Sequence, residues 1–405
     1  MYSKLRLTIL IALSTFAHST LLAEDGITSN TIKIGGVLDL EGRSKGLGQN
    51  IKKGIDAAFD GVKIKDRSIE YVTLNDSYTP EKTIQSTNEL IKQKVFLFAG
   101  NVGTPTAKVS LPILAEKNIP AVGFFTGAGL LRPGKGTIIN YRASYIQETA
   151  SVIKAALKSG VKATEVCAYV QNDAYGMAGI EGVMRALDNV SGNEKIIGTL
   201  QKIISLKGKN PARNNIGPVG VYKRNSYFAR PGYKSLKAWE KKQNTQCKIV
   251  ITVGSYKSVT ELIAYSRYKK EPWIFSAVSF TGANNFKNAL EKFKIKDGVI
   301  MTQVVPLLDS DVPLVQEARK KLGQDYGYVS LEGFIVGKLV IYGLEKIKGE
   351  MTRKRFTDSI LNSRFSIGQL TFDFLENNQG SDLVNLMALK QGEWIEGTNN
   401  NLWEN

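Results

Sequence analysis

Phe98-Ala99-Gly100-Asn101-Val102-Gly103-Thr104-Pro105-Thr106-Ala107-Lys108-Val109-Ser110 reads as a strand, a tight turn and a helix. The apolar run from Val95 to Ala99 has strand composition and stops at Gly100. Thr104 then suits a helix N-cap and Pro105 a first helical position, ahead of Ala107, Val109, Leu111 and Leu114. A helix start carries backbone N–H groups without internal partners and partial positive charge. At the carboxyl end of a strand in a parallel sheet it becomes a seat for an anion, and the expected guest is a carboxylate.

The same unit recurs on both sides of this stretch. Upstream, Thr31 to Leu40 and Ile69 to Leu74 read as strands, Leu47 to Phe59 and Pro80 to Gln93 as helices, and a short strand follows at Ile119 to Phe124. Beyond the Gly- and Pro-rich loop from Thr126 to Gly136, helices are expected at Ile146 to Lys158 and Tyr175 to Leu187, with strands at Glu165 to Val170 and Lys195 to Ile204. The pattern continues through a helix near Lys234 to Lys242, strands at Ile249 to Val253, Trp273 to Ala277 and Gly298 to Val304, and the helices between them. Helices near Leu314 to Leu322, Leu331 to Ile347 and Arg353 to Leu361 precede a closing pair of strands between Gly368 and Leu389. Because each helix separates two strands, the sheets should be parallel with helices on both faces. Roughly ten such units would make one unusually wide sheet, so the expected fold is α/β with two doubly wound parallel-sheet lobes and a ligand cleft between them.

The chain has 405 residues, 42% of them apolar and 22% charged, which is globular composition. Residues 1–23 open with Lys4 and Arg6, run through the apolar Leu5 to Ala17 and end in small residues near Ala23, as a secretory signal peptide does. That run is too short to span a bilayer, so an exported, periplasmic protein is expected. The only histidine, His18, lies in this leader. Chemistry in the remainder cannot use imidazole as a base, a nucleophile's partner or a metal ligand, which removes Ser-His-Asp, Cys-His and most zinc designs. No GxxxxGK[ST] phosphate loop occurs, and Gly46-Leu47-Gly48 lacks the third glycine of a dinucleotide fingerprint. Asp39, Glu41 and Asp76 read as structural or ligand-orienting carboxylates. No enzyme reaction, cofactor or metal is therefore expected.

Cys167 sits inside an apparent strand and Cys247 just before another. They are expected as buried free thiols, with a disulfide between them as the alternative. Much of the net charge of +17 is concentrated between Gln201 and Lys248, where Tyr222, Tyr227, Phe228 and Tyr233 are interleaved with Lys and Arg. Residues 206–233 read as a solvated basic insertion, alternatively as a surface for an acidic partner. Export argues against nucleic acid despite the aromatic interleaving.

Ligands in open α/β sheets collect beyond the carboxyl ends of the strands. Besides Thr104 and Thr106, three more strand ends are unusual: Gly123-Phe124-Phe125-Thr126-Gly127-Ala128-Gly129, Gln171-Asn172-Asp173-Ala174-Tyr175-Gly176, and Gly254-Ser255-Tyr256. The small residues of the first let a ligand approach the main chain. Asp173 can cap a helix, and Tyr175 can present a ring and a hydroxyl. Together with Asn140-Tyr141-Arg142-Ala143-Ser144-Tyr145, the ordered set Gly103-Thr104-Pro105-Thr106, Phe125-Thr126-Gly127-Ala128 and Asp173-Ala174-Tyr175-Gly176 resembles the leucine/isoleucine/valine-binding type of bacterial periplasmic receptor.

That resemblance implies two similar lobes joined by three crossings, which close on a small molecule and deliver it to an inner-membrane ABC permease. It places the first lobe at about 24–145 with 303–383, and the second at 146–302 with 384–405. It makes Thr104 the hydroxyl that receives the ligand carboxylate and Phe125, Thr126, Gly127 and Ala128 the contact strip. Tyr175 and Tyr256 become the residues of the second lobe that meet the ligand on closure. Leu47 stands where an aromatic often shields the ligand, and Ser279 where amino-acid binders carry an acid for the ligand ammonium. The family's disulfide positions in the first lobe fall on Tyr78 and Gly103, so that bridge is absent. An ammonium without its counter-charge would lose about 1.5 to 3 kcal/mol, roughly ten- to a hundredfold in affinity. The ligand expected is a small carboxylate, an amide or an amino-acid-like molecule, with ordinary branched-chain amino acids disfavoured. A sensory receptor of similar fold, signalling to a membrane partner, is the alternative.

Overall fold

The computed structural model describes residues 24–188, 190–206, 213–398 and 401–403. The proposed leader, including Lys4, Arg6 and His18, lies outside the described residues, as do Lys207 and Lys209 of the basic segment.

The first sheet is built from β1 (Thr31–Leu38), α1 (Lys45–Phe59), β2 (Lys63–Ile64), β3 (Arg67–Asn75), α2 (Pro80–Lys92), β4 (Leu97–Ala99), α3 (Thr104–Glu116), β5 (Ala121–Val122) and β6 (Ile138–Ile139). Its strand order is β2-β3-β1-β4-β5-β6, parallel apart from the edge pair β2–β3. The central and far-edge strands β4, β5 and β6 are wholly apolar and buried, as strands covered on both faces are, whereas β3 alternates apolar with polar residues and stays partly exposed.

The second sheet follows α4 (Tyr145–Lys158), with β7 (Val166–Gln171), α5 (Ala174–Asp188), α6 (Glu194–Ser205), β8 (Val219–Tyr222), α7 (Arg230–Gln243), β9 (Ile249–Val253), α8 (Tyr256–Tyr268), β10 (Ile274–Ala277), α9 (Ala283–Glu291) and β11 (Val299–Gln303). The chain then returns to the first sheet's side through α10 (Pro313–Leu322), α11 (Tyr328–Lys346) and α12 (Arg353–Asp358), followed by the hairpin β12 (Arg364–Ile367) and β13 (Leu370–Asp373). It closes with β14 (Asn385–Lys390) and β15 (Glu393–Glu396), an antiparallel extension of the second sheet, whose order is β15-β14-β11-β10-β9-β7-β8.

Helix α11 is buried on nearly every side and packs along α1. Two glycines allow that approach: a Cβ at Gly54 would lie 2.1 Å from Ser330 O, and one at Gly333 2.3 Å from Ile51 O. A side chain at either position would push the helices apart.

Three local expectations are corrected. Lys195 to Ile204 is not a strand but lies in α6, because Ile196, Leu200 and Ile203 fall at helical spacing and bury together. The segment 206–233 is not wholly an insertion, since Val219–Tyr222 forms the edge strand β8, paired in parallel with β7. Several of the charges around it are answered within the fold: Arg224 pairs with Asp173, Lys237 with Glu240 and Glu271, and Lys248 with Glu165. The expected free thiols are joined instead as a Cys167–Cys247 disulfide with a Cα–Cα distance of 5.7 Å. The parallel pairing of β7 with β9 brings Cys167 beside the chain entering β9, inside the range a disulfide spans. Among the described residues no helix is long and apolar enough to cross a membrane, and no cluster of His, Cys, Asp or Glu could hold a metal ion.

Candidate functional site

The strand ends of both sheets face one another across a filled seam. At the centre of the first side, Gly103 has φ +101 and precedes α3, so the helix begins one residue earlier than expected: Thr104 is its first residue and Gly103 the N-cap. Only the conformational freedom of glycine suits this turn, and a Cβ on Gly103 would sit 2.2 Å from a Tyr78 ring carbon. The two positions that the resemblance equates with a lost disulfide are thus in direct contact. No side chain caps α3.

The hydroxyls of Thr104 and Thr126 lie 2.6 Å apart and buried. Thr106 turns away from them, its hydroxyl donating to Val102 O and to Gly103 O. The contact strip is held by its own neighbours: Phe125 N donates to Asn101 O, Tyr145 N to Gly127 O, and Arg132 Nη1 to Ala128 O. Asp39 accepts from Gly42 N and Ser44 N, and Asp76 from Tyr78 N and the Thr83 hydroxyl. These carboxylates fix turns at the strand ends.

The second side is positioned by α4 and α5. Ser144-Tyr145-Ile146-Gln147 forms a capping box in which Ser144 Oγ accepts from Gln147 N while Gln147 Oε1 accepts from Ser144 N. It fixes α4 so that Glu148 in the first turn is buried in the seam. At α5, Asp173 accepts from Tyr175 N at 3.0 Å and so holds Tyr175 at the helix start.

Five rings close the centre. Phe280 lies 5.2 Å from Phe125 in a stacked arrangement, 4.8 Å from Tyr175 and 6.1 Å from Tyr78. Tyr145 lies 5.2 Å from Tyr175. Gln171 Nε2 donates to Tyr78 Oη across the seam at 3.3 Å. Farther out, Tyr256 Oη donates to Arg43 O, and Leu47 is buried against the turn at Gly282.

Ser279 is not a lone neutral hydroxyl, as the sequence suggests. Glu148 accepts from it twice, from Oγ at 3.0 Å and from the backbone N–H at 2.7 Å. Thr302 Oγ1 also donates to Glu148, and Arg142 Nη2 donates to Ser279 Oγ. The Arg142 guanidinium is 1% exposed and lies 3.4 Å from Glu148, 3.6 Å from Glu332 and 4.9 Å from the Phe125 ring centre. Burial works against its charge, but Glu332 and Glu148 outweigh burial and hold it above the ordinary arginine range. Burial pushes Glu332 up to about 7, with Arg142 opposing and Glu148 reinforcing the shift.

Of the residues singled out from sequence, Thr104, Phe125, Thr126, Gly127, Ala128, Tyr175 and Ser279 converge on this centre. Leu47 and Tyr256 line its outer edge, and Thr106 serves its own loop. Glu148, Phe280 and Glu332 carry no signal in the sequence reading, and Tyr78 enters it only as a disulfide position of the family. Arg142 and Tyr145 stood inside a quoted motif without being given a role.

Two α/β lobes with strand ends facing across one seam, and with hydroxyls, rings and a helix start gathered there, define the two-lobed class of fold in which ligands lie between the lobes. A sequence model of the periplasmic binding protein family matches residues 31–201. The leucine/isoleucine/valine-binding protein homolog 6 of Brucella abortus is 28% identical over 157 residues, 38% of this chain and 39% of that protein. A crystal structure of a possible leucine/isoleucine/valine-binding protein from Rhodopirellula baltica superimposes with a TM-score of 0.80 at 31% identity, covering 95% of this chain and 100% of that one. A solute-binding protein of an ABC transporter from R. palustris, in complex with benzoate, shares the fold with a TM-score of 0.70 at 18% identity, over 91% and 95% of the two chains. The chain belongs to the periplasmic binding protein family, in its leucine/isoleucine/valine-binding type.

Proposed function

We propose that this protein is the substrate-binding subunit of an ABC importer and holds a small carboxylate, amide or amino-acid-like ligand between its lobes. The carrying observation is the meeting of Thr104 and Thr126, at the uncapped start of α3, with rings of both lobes around Phe280. Lobes of residues 24–145 with 303–383 and 146–302 with 384–405 would close on the ligand, and their relative orientation would tell the permease that the site is full. Leader cleavage near residue 23 and a periplasmic location suit both the family and the Cys167–Cys247 disulfide, since such bridges persist in oxidising compartments. The burial of Ser279 under Glu148 and Arg142 favours a ligand without an ammonium group. The benzoate-bound relative is in keeping with that preference.

Native mass spectrometry of gently purified protein tests this reading. A bound small molecule that is lost on Thr104→Val substitution supports it. A protein that carries no ligand, and takes up neither carboxylates, amides nor amino acids in calorimetry, refutes it.

A further inference from the structure

The centre of the seam holds polar groups whose hydrogen bonds go unmade, and they are nearly all donors. Arg142 Nε and Nη1 make no hydrogen bond among the described residues, although the side chain is 1% exposed. Tyr145 Oη is buried with the Thr126 side chain beside it and makes no well-formed hydrogen bond. Nη1 faces Glu332 at 3.6 Å, an ion-pair distance without a hydrogen bond, and Nε has no acceptor, so this buried guanidinium is charge-paired but short of hydrogen bonds, which costs stability. The arrangement becomes favourable when an acceptor-rich group enters, and a carboxylate offers four lone-pair directions in the plane that a guanidinium fork matches.

What would accompany that carboxylate is indicated by Phe280. Its ring fills the space between Phe125 of one lobe and Tyr175 of the other, stacked on the first and edge-on to the second. It is also the neighbour of Ser279, which Arg142 contacts. A flat ring therefore already occupies the body of the seam, next to the Arg142 guanidinium. The charges agree: Glu148 and Glu332 answer Arg142 directly, so the centre offers no spare acid to an ammonium.

We propose that Arg142 is the anion-receiving residue of the interlobe seam and that the site selects planar carboxylates lacking an amine, whose ring takes the place that the Phe280 side chain fills. This rests on the seam being the ligand site. Phe280 belongs to a single turn, Ser279–Thr281, bounded by Gly282 at φ +83 and held at Ser279 by Glu148, so its displacement has to move the ring while that grip stays in place.

Calorimetry with the full-length mature protein and three probes tests the proposal: benzoate, benzamide and L-phenylalanine. Benzoate should bind at least tenfold more tightly than both of the others. Arg142→Lys, which keeps the charge but loses the fork, should weaken benzoate at least tenfold and benzamide less than threefold. Phe280→Ala should tighten benzoate at least threefold by removing the competing ring. If Arg142→Lys does not fold, the wild-type probe ranking and Phe280→Ala decide between the outcomes. Benzoate binding no tighter than benzamide or phenylalanine overturns the proposal, as does a folded Arg142→Lys variant with unchanged benzoate affinity. Tight binding of an amine-bearing or neutral ligand in the seam would overturn this inference while leaving the reading as a binding protein intact.

Discussion

Glu148, in the first turn of α4, grips Ser279 from both of its carboxylate oxygens, taking the hydroxyl on one and the backbone N–H on the other at 3.0 and 2.7 Å. The turn that carries Phe280 is thereby tied to the helix that starts at Tyr145 and follows Arg142. Glu148→Gln should cost about 3 to 5 kcal/mol, because it leaves the buried guanidinium short of one partner and disturbs the Ser279 turn. Ser279→Ala should cost only about 1 to 2 kcal/mol, since the backbone N–H bond survives. Urea unfolding of the two variants checks the order. A Glu148→Gln variant no less stable than Ser279→Ala would show that the carboxylate is not holding the cluster.

Thr104→Val isolates the hydroxyl that meets Thr126. Because Thr104 is the first residue of α3 and Gly103 the N-cap, the substitution removes no cap, and the loss of the buried bond to Thr126 should cost about 1 to 3 kcal/mol of stability. Ligand affinity should fall about tenfold, the worth of one hydrogen bond to a charged group. Titration calorimetry beside a thermal melt separates the two effects.

The Cys167–Cys247 bridge closes a sequence separation of 80 residues around β7, β8 and the helices between them. In the chain-entropy account a loop of that length restrains the unfolded state by roughly 4 kcal/mol. Cys167→Ser with Cys247→Ser, or wild-type protein under a reductant, should shift the urea midpoint down accordingly. An unchanged midpoint would mean that the cysteines are not joined in solution.

The parts of the fold that could be read from sequence share one physical property: their signal is local. β4, β7 and β9 are continuous apolar runs, and the turn before α3 announces itself through Gly103, Pro105 and two threonines. α6 was misread because Ile196-Ile197 and Ile203-Ile204 are β-branched pairs, and only packing shows that Ile196, Leu200 and Ile203 share one face. The disulfide depends on a parallel register that no local pattern encodes. Arg142 and Phe280 escaped for the same reason. An arginine in sequence looks like surface, and its burial follows from Glu148 and Glu332 arriving from α4 and α11. A phenylalanine looks like core, and its place between two lobes follows from the crossing of the chain.

Folding stability should fall as pH rises from about 4 to 7. Asp76 is pushed from 3.8 up to about 6, chiefly by burial, with hydrogen bonds from Thr83 and Tyr78 opposing and Asp39 adding repulsion. Glu332 is pushed from 4.5 up to about 7, again chiefly by burial. Between the unfolded and folded values the native state binds more protons than the unfolded chain, so deprotonation favours unfolding. The loss is half complete for Glu332 at about pH 7 and ends about one pH unit above it. Urea unfolding at pH 4.5, 6 and 7.5 reads the slope, and Glu332→Gln should flatten its upper part. A slope of the opposite sign in the wild type would contradict the burial of these two carboxyls.

The same Glu332 should couple ligand affinity to pH. It is faced by Arg142, Glu148 and Arg132, and an anion entering beside Arg142 draws on the guanidinium that otherwise steadies the ionised form of Glu332. Proton uptake by Glu332 then accompanies anion binding, so carboxylate affinity rises as pH falls through about 7 and levels off below the value of the free protein. A neutral probe such as benzamide brings no charge and should show little dependence. Calorimetry of benzoate between pH 6 and 8.5, in two buffers of different ionisation enthalpy, measures both the trend and the proton number. Binding that strengthens with rising pH, or that takes up no proton near pH 7, would place the anion away from the Arg142–Glu332 pair.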